Sequence, residues 1–91
     1  MVHLDEEIRK RIEDILKETF LSSKIGLTVP EIEEKVHDTI PKATKYRIRA
    51  LINQGIGKGI IGREKIGGRI IHFRRDLMMK AINLLKKESS D

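Results

Sequence analysis

The chain has no cysteine and no tryptophan, and only one tyrosine, two phenylalanines and two prolines in 91 residues. Without cysteine, disulfides and thiolate metal sites are excluded. That fits a reducing, cytoplasmic setting. The histidines His3, His37 and His72 lie far apart and no pair has ligand spacing, so neither a metal nor a cofactor is expected. No apolar run approaches the ~20 residues that a membrane span needs. The opening Met1-Val2-His3-Leu4-Asp5 lacks the basic start and apolar stretch of a signal peptide, and no membrane partner is expected. A chain this short buries one core but has little room for a deep catalytic cleft. It shows no Ser/His/Asp grouping, no carboxylate pair in an apolar setting, and no phosphate-binding loop that opens a helix. No enzyme is expected.

Charge, by contrast, is abundant: 36% of residues are charged and the net charge is +5. Its distribution is uneven. Residues 1–38 sum to −4, residues 39–80 to +9, and residues 81–91 to zero. A small domain with one strongly basic half suits a polyanionic partner. The wealth of Ile, Lys and Glu is also the balance of thermophile proteins.

The stretch from Ile40 to Phe73 organises the rest. It reads as one helix, ending at Gln54-Gly55, followed by a two-stranded ribbon. On a wheel of about 100° per residue, Thr44, Ile48, Leu51 and Ile52 share one face. Lys42, Lys45, Tyr46, Arg49 and Asn53 share the other, with Arg47 at the border. Such a helix can dock on a core while presenting positive charge. Upstream, Asp5 is a candidate N-cap for a scaffold helix to Leu21, with Ile8, Ile12, Ile15, Leu16 and Thr19 at helical spacing. Leu27-Thr28-Val29 is a candidate very short strand. Thr28 to Glu31 has capping-box spacing, with Pro30 in the first turn of a short helix ending near Val36 or His37. His37-Asp38-Thr39 then turns into Ile40-Pro41, and Pro41 suits the start of the next helix.

After the ribbon-forming helix, Ile60 to Ile66 and Arg69 to Arg74 alternate as strands do. Gly67-Gly68 between them is a two-residue hairpin signal. That turn sets Ile66 opposite Arg69, Glu64 opposite Ile71 and Gly62 opposite Phe73. Ile60, Gly62, Ile71 and Phe73 are expected to face the core, the ring lying over the glycine. Ile61, Arg63, Lys65, Ile70, His72 and Arg74 take the other face. Asp76 is a candidate N-cap for a last helix from about Leu77 to Lys87. Its apolar arc is wide enough to pack on the first helix and pair with a second copy, as a homodimer. Residues 88–91 are expected to fray.

Two short helices joined by a turn form a helix-turn-helix. Helix, short strand, helix, turn, helix and hairpin follow the order of a winged helix-turn-helix domain. The resemblance covers about Leu4 to Arg75. Thr44-Lys45-Tyr46-Arg47, then Leu51 and Gly55, is similar to the recognition-helix pattern of small prokaryotic, archaeal-type transcription regulators, and Gly26 to Ile32 looks like the approach to their second helix. The chain departs from them in carrying Gly55, Gly57, Gly59 and Gly62 where the family usually has one glycine. The resemblance implies an α+β, mainly α fold. Residues 1–75 would hold three helices and a two-stranded β-hairpin wing, and residues 76–91 an extra C-terminal helix and tail.

The resemblance further implies double-stranded DNA as partner and a place on the nucleoid. The third helix would enter the major groove and the wing would lie on the backbone or minor groove. Lys42, Lys45, Tyr46, Arg47, Arg49 and Asn53 on the helix, and Arg63, Lys65, Arg69 and Arg74 on the wing, are the expected nucleic-acid contacts. Three other readings use the same residues. Ile56 to Gly62 superficially resembles the Gly-x-x-Gly loop of an RNA-binding KH domain, but its middle residues are Ile60 and Ile61, not polar ones. A ribosomal winged helix, and a winged helix that binds protein in a larger replication or transcription assembly, are the others.

Overall fold

A computed structural model describes residues 2–89. The elements are α1 (Val2–Leu21), α2 (Val29–Thr39), α3 (Lys45–Gly57), β1 (Ile61–Ile66), β2 (Arg69–Arg74) and α4 (Arg75–Ser89). The fold is α+β and mainly helical, with one two-stranded antiparallel sheet. Among the described residues no helix is long and apolar enough to cross a membrane.

The core is aliphatic. Ile8, Ile12, Ile15 and Leu16 of α1 meet Ile32 and Val36 of α2, Ile48, Leu51 and Ile52 of α3, together with Leu27, Ala43 and Ile61. The helical spacing in the sequence accounts for all three helix stripes. Thr19 is buried on the α1 stripe, and its hydroxyl donates to the Ile15 carbonyl at 2.8 Å, so its burial leaves no polar group unmet.

The α1 boundary differs from expectation. The helix begins at Val2, so Asp5 lies in its first turn and is not the cap. Its carboxylate is drawn to Arg47, whose Nη1 lies 3.1 Å from Asp5 Oδ1. At the other end, the Ser23 amide donates to the Phe20 carbonyl and the Lys24 amide to the Thr19 carbonyl. That is a Schellman closure, with Ser23 in the left-handed position at φ 65°.

The connector runs on to Leu27. In place of the short strand expected there, Leu27 makes a single antiparallel bridge to His72. The capping box holds: the Glu31 amide donates to Thr28 Oγ1 at 3.5 Å, and the Thr28 amide to Glu31 Oε1 at 2.9 Å. α2 extends further than expected, to Thr39. The turn is at Ile40 to Ala43, where the Ala43 amide donates to the Ile40 carbonyl at 2.9 Å and Pro41 takes the second position. Pro41 and Lys42 therefore precede α3. Ala43, not Thr44, is buried, and Thr44 caps α3 by accepting from the Arg47 amide at 3.2 Å.

α3 passes through Gly55 and ends at Gly57. A Cβ at Gly55 would meet the Ile61 side chain, so this glycine makes packing room and does not stop the helix. The stop is Gly59, at φ 78°. Its amide donates to Ile56 and the Ile60 amide to Gly55, the same closure that ends α1.

The hairpin register is the expected one, with Ile66 opposite Arg69, Glu64 opposite Ile71 and Gly62 opposite Phe73. The Phe73 ring lies over Gly62, as expected. The assignment of faces is corrected, however. Ile61 and His72, on the face expected to look outward, are 3% exposed. The Gly62 and Phe73 face is instead covered by α4, where Met78, Met79 and Ile82 line a cleft with Ile56 and Phe73. The base of the ribbon is thus covered on both sides, which the alternation pattern alone does not reveal.

α4 follows β2 with no loop. Asp76 is inside its first turn and not an outside cap. It receives Arg74 in a forked pair, Nε to Oδ1 at 2.8 Å and Nη2 to Oδ2 at 2.6 Å. The helix runs to Ser89, and of the tail expected to fray, residues 90–91 lie outside the described residues.

The two Schellman closures differ in one residue, glycine in one and serine in the other. A left-handed non-glycine residue costs about 1–2 kcal/mol, of which glycine's extra chain entropy gives back about 0.5–1. Ser23→Gly is expected to stabilise the fold by about 0.5–1 kcal/mol, raising Tm by about 2–8 °C in a calorimetric scan.

Candidate nucleic-acid interface

A groove of about 730 Å³ runs between α3, the start of α2 and the inner face of the hairpin. Its apolar floor includes Val29, Ile52 and Ile70. Arg49 and Asn53 rise from α3, Arg63 and Arg69 from the hairpin, Thr28 from the cap of α2 and Glu31 from its first turn. On the outer side of α3, Lys45, Tyr46, Arg49, Ala50 and Asn53 line a smaller surface of about 460 Å³ that shares Arg49 and Asn53 with it. Tyr46 is 85% exposed, so this aromatic ring is not a core residue.

Of the ten residues expected from the sequence, Arg49, Asn53, Arg63 and Arg69 line the groove itself. Lys45 and Tyr46 extend it along α3, and Lys65 is exposed on β1. Lys42 is exposed in the turn before α3 rather than on the helix. Arg47 points away, to Asp5 on α1. Arg74 is not brought to the groove. Its side chain is 15% exposed, it holds Asp76, and its Nη1 donates to the Glu13 carbonyl at 3.3 Å. The Asp76 carboxylate holds Arg74 above the usual guanidinium range, and Arg74 holds Asp76 below the usual carboxylate range. This pair fastens the end of β2, the start of α4 and the middle of α1 together.

Two of the groove's arginines are held by carboxylates that the sequence did not single out as site residues. Glu33 of α2, which does not itself line the groove, is buried and accepts from Arg49 Nε at 2.9 Å. Glu31 accepts from Arg69 Nη2 at 3.4 Å, and Lys24 Nζ lies 4.0 Å from its other oxygen. Bonding to Thr28, amide first and hydroxyl second, keeps the Glu31 carboxyl below its usual range, and Lys24 and Arg69 add to this. No local spacing signals these pairs, since their members are 16 and 38 residues apart.

His72 closes the base of the groove. Its backbone exchanges two hydrogen bonds with Leu27, at 2.9 and 2.7 Å. Nδ1 lies 3.3 Å from the Leu27 carbonyl, which can only accept, so this nitrogen donates. Burial holds the imidazole below its usual range. The Leu27 bond opposes this, and the nearby Arg63 cation reinforces it. Among the described residues no group of three or more His, Cys, Asp or Glu could hold a metal ion.

Searches against family models, curated proteins and solved structures found no match to this chain.

The depressed His72 value links folding to pH. Between the unfolded value near 6.5 and the lower folded value, the unfolded chain binds more protons. Stability is therefore complete above pH 6.5 and is lost as pH falls through the folded value. Tm is expected to fall between pH 7.5 and 5. His72→Asn, whose amide can replace the Nδ1 donor, is expected to flatten that dependence in thermal unfolding scans.

Proposed function

We propose that this chain is a winged helix-turn-helix protein that binds double-stranded DNA as a homodimeric regulator of transcription. α3 is the helix laid in the major groove, and the β1–β2 hairpin is the wing on the backbone or adjacent minor groove. One observation carries the reading: α3 and the hairpin flank a single groove into which Arg49, Asn53, Arg63 and Arg69 converge. The groove has an apolar floor and basic walls, which suits sugar faces and phosphates. Tyr46, exposed beside Lys45, can donate to a phosphate or a base edge. Lys42, in the turn before α3, and Lys65, on β1, are further exposed cations.

Support for the dimer comes from α4. Leu77, Met78 and Ala81 in its first half are partly covered, while Leu84 and Leu85 beyond them are 63% and 65% exposed. A second copy of α4 is the cover proposed for them. Replacing both with Glu is expected to give a monomer in analytical ultracentrifugation with the fold unchanged by circular dichroism. A wild-type chain that is monomeric at ~100 μM would remove the dimer from the reading.

The test of DNA binding is selection from a genomic fragment library at two salt concentrations, with the bound fragments sequenced. With about five to eight phosphates neutralised, log affinity should fall against log salt with a slope of about −4.5 to −7. Enrichment of an inverted repeat, with half-sites about one helical turn apart, is the expected result. Arg49→Ala is expected to lower discrimination between sites, and Lys65→Ala to weaken all sequences alike. Equal losses of selectivity from the two would contradict this division. Failure to bind duplex at low salt would remove DNA as the ligand.

A further inference from the structure

Among the described residues, Arg49 is the groove cation whose partner is buried. Glu33 has 7% side-chain exposure, against 35% for Glu31, which holds Arg69. Its bond is also specific in which part of the guanidinium it takes. Glu33 Oε2 accepts from Nε at 2.9 Å, and among the described residues the Arg49 side chain makes no other hydrogen bond. The Arg49 side chain is 59% exposed and lines the groove, while its Nε is held by Glu33. A guanidinium fixed at Nε keeps Nη1 and Nη2 as an outward fork. That fork matches the O6 and N7 acceptors on the major-groove edge of guanine.

We infer that Glu33 is a positioning residue. It clamps Arg49 by Nε so that the two terminal nitrogens form a pre-set reader for guanine. The inference rests on the DNA-binding reading above and adds what that groove selects: a G·C pair opposite Arg49.

Two features of Glu33 fit this role better than that of a plain structural ion pair. A buried carboxylate is an expensive way to hold two helices together, since apolar residues of similar volume do so as well or better. What an apolar residue cannot do is fix the direction of an arginine. Glu33 also places a negative charge under a surface read here as phosphate-binding, so it weakens general attraction to a polyanion while orienting one contact. Its removal should therefore move affinity and selectivity in opposite directions, which loss of a purely structural pair would not do.

The experiment is selection from a randomised duplex pool with wild type, Glu33→Ala, Glu33→Gln, Arg49→Ala and Arg49→Lys. Each variant is first checked by thermal unfolding. Wild type should show a guanine preference at one position per half-site that falls roughly tenfold or more in Arg49→Ala. Glu33→Ala should lose that preference but bind the unselected pool at least as tightly as wild type. Glu33→Gln keeps an acceptor for Nε and should retain most of the preference. Arg49→Lys cannot offer a fork and should behave like Arg49→Ala in selectivity, but not in pool affinity.

A measurement without DNA accompanies these. The Arg49 Nε–H resonance should be protected from solvent exchange in wild type and Glu33→Gln, and exposed in Glu33→Ala. A protected resonance in Glu33→Ala overturns the inference, as does a guanine preference that survives in Glu33→Ala. A parallel loss of selectivity and pool affinity overturns it too. Wild type that binds duplex with no base preference also overturns it, while leaving DNA binding itself intact. Wild type that binds no duplex removes both readings.

Discussion

Two backbone hydrogen bonds between Leu27 and His72 determine whether there is a groove at all. The hairpin leaves α3 at Gly59 and would otherwise be fixed only by its own base. By pairing with the α1–α2 connector at 2.9 and 2.7 Å, His72 brings the inner face of β2 against the start of α2. The approach is close: a Cβ at Gly26 would collide with the His72 carbonyl and the Ile71 side chain. Glycine at that position is therefore a condition of the groove, although it lies outside it. Thr28 follows one residue after the bridge. The same two residues of connector thus set the angle of the hairpin and cap α2, which brings Glu31 to the groove wall and Glu33 to Arg49.

The charge pattern gains a different meaning once folded. In the sequence, an acidic first part and a basic middle look like a polar molecule. In the structure, Asp5, Glu31 and Glu33 of the acidic part reach Arg47, Arg69 and Arg49 of the basic part. Arg74 has its own carboxylate in Asp76. Arg63, Lys42, Lys45 and Lys65 form no ion pair among the described residues. The exposed pairs add little to stability, because water screens them and the side chains lose entropy. What they change is freedom. Of the three arginines that line the groove, Arg49 and Arg69 are held by carboxylates, while Arg63 and the lysines Lys42, Lys45 and Lys65 have no such anchor among the described residues. Under the proposed DNA binding, a fixed fork would suit a base edge and an unanchored point charge a phosphate, so the two kinds of cation would make different contacts.

The parts of this architecture that were legible in the sequence are those set by neighbours in the chain. Gly67-Gly68 determined the register, because a two-residue turn leaves one pairing. Thr28 and Glu31 determined the start of α2 because a capping box needs only a spacing of three. The misread boundaries have tertiary causes. Gly55 looked like a helix stop, but its missing Cβ makes room for Ile61. The inner face of the hairpin was misassigned because α4 covers the Gly62 and Phe73 side, freeing the Ile61 and His72 side for the core. At the groove, the cations were legible as a cluster on one helix face and one ribbon. Their counter-charges were not, since Glu33 reaches Arg49 only through the α2–α3 crossing. Arg74 was placed on the wing by alternation, but its proximity to Asp76 and α1 turned it inward.

The hairpin also separates the two surfaces proposed to bind partners. Its residues alternate, so Arg63, Ile70 and His72 face the groove while Gly62 and Phe73 face α4. A second copy docked on the exposed end of α4, as proposed, would rest on Leu84 and Leu85, which do not line the groove. Dimer contact and groove contact need not compete for the same side chains. Their mechanical connection is the base of the ribbon, where Ile61 is in the core and Arg74 ties β2 to α1 and α4. A partner on α4 would set the angle between two grooves through that base.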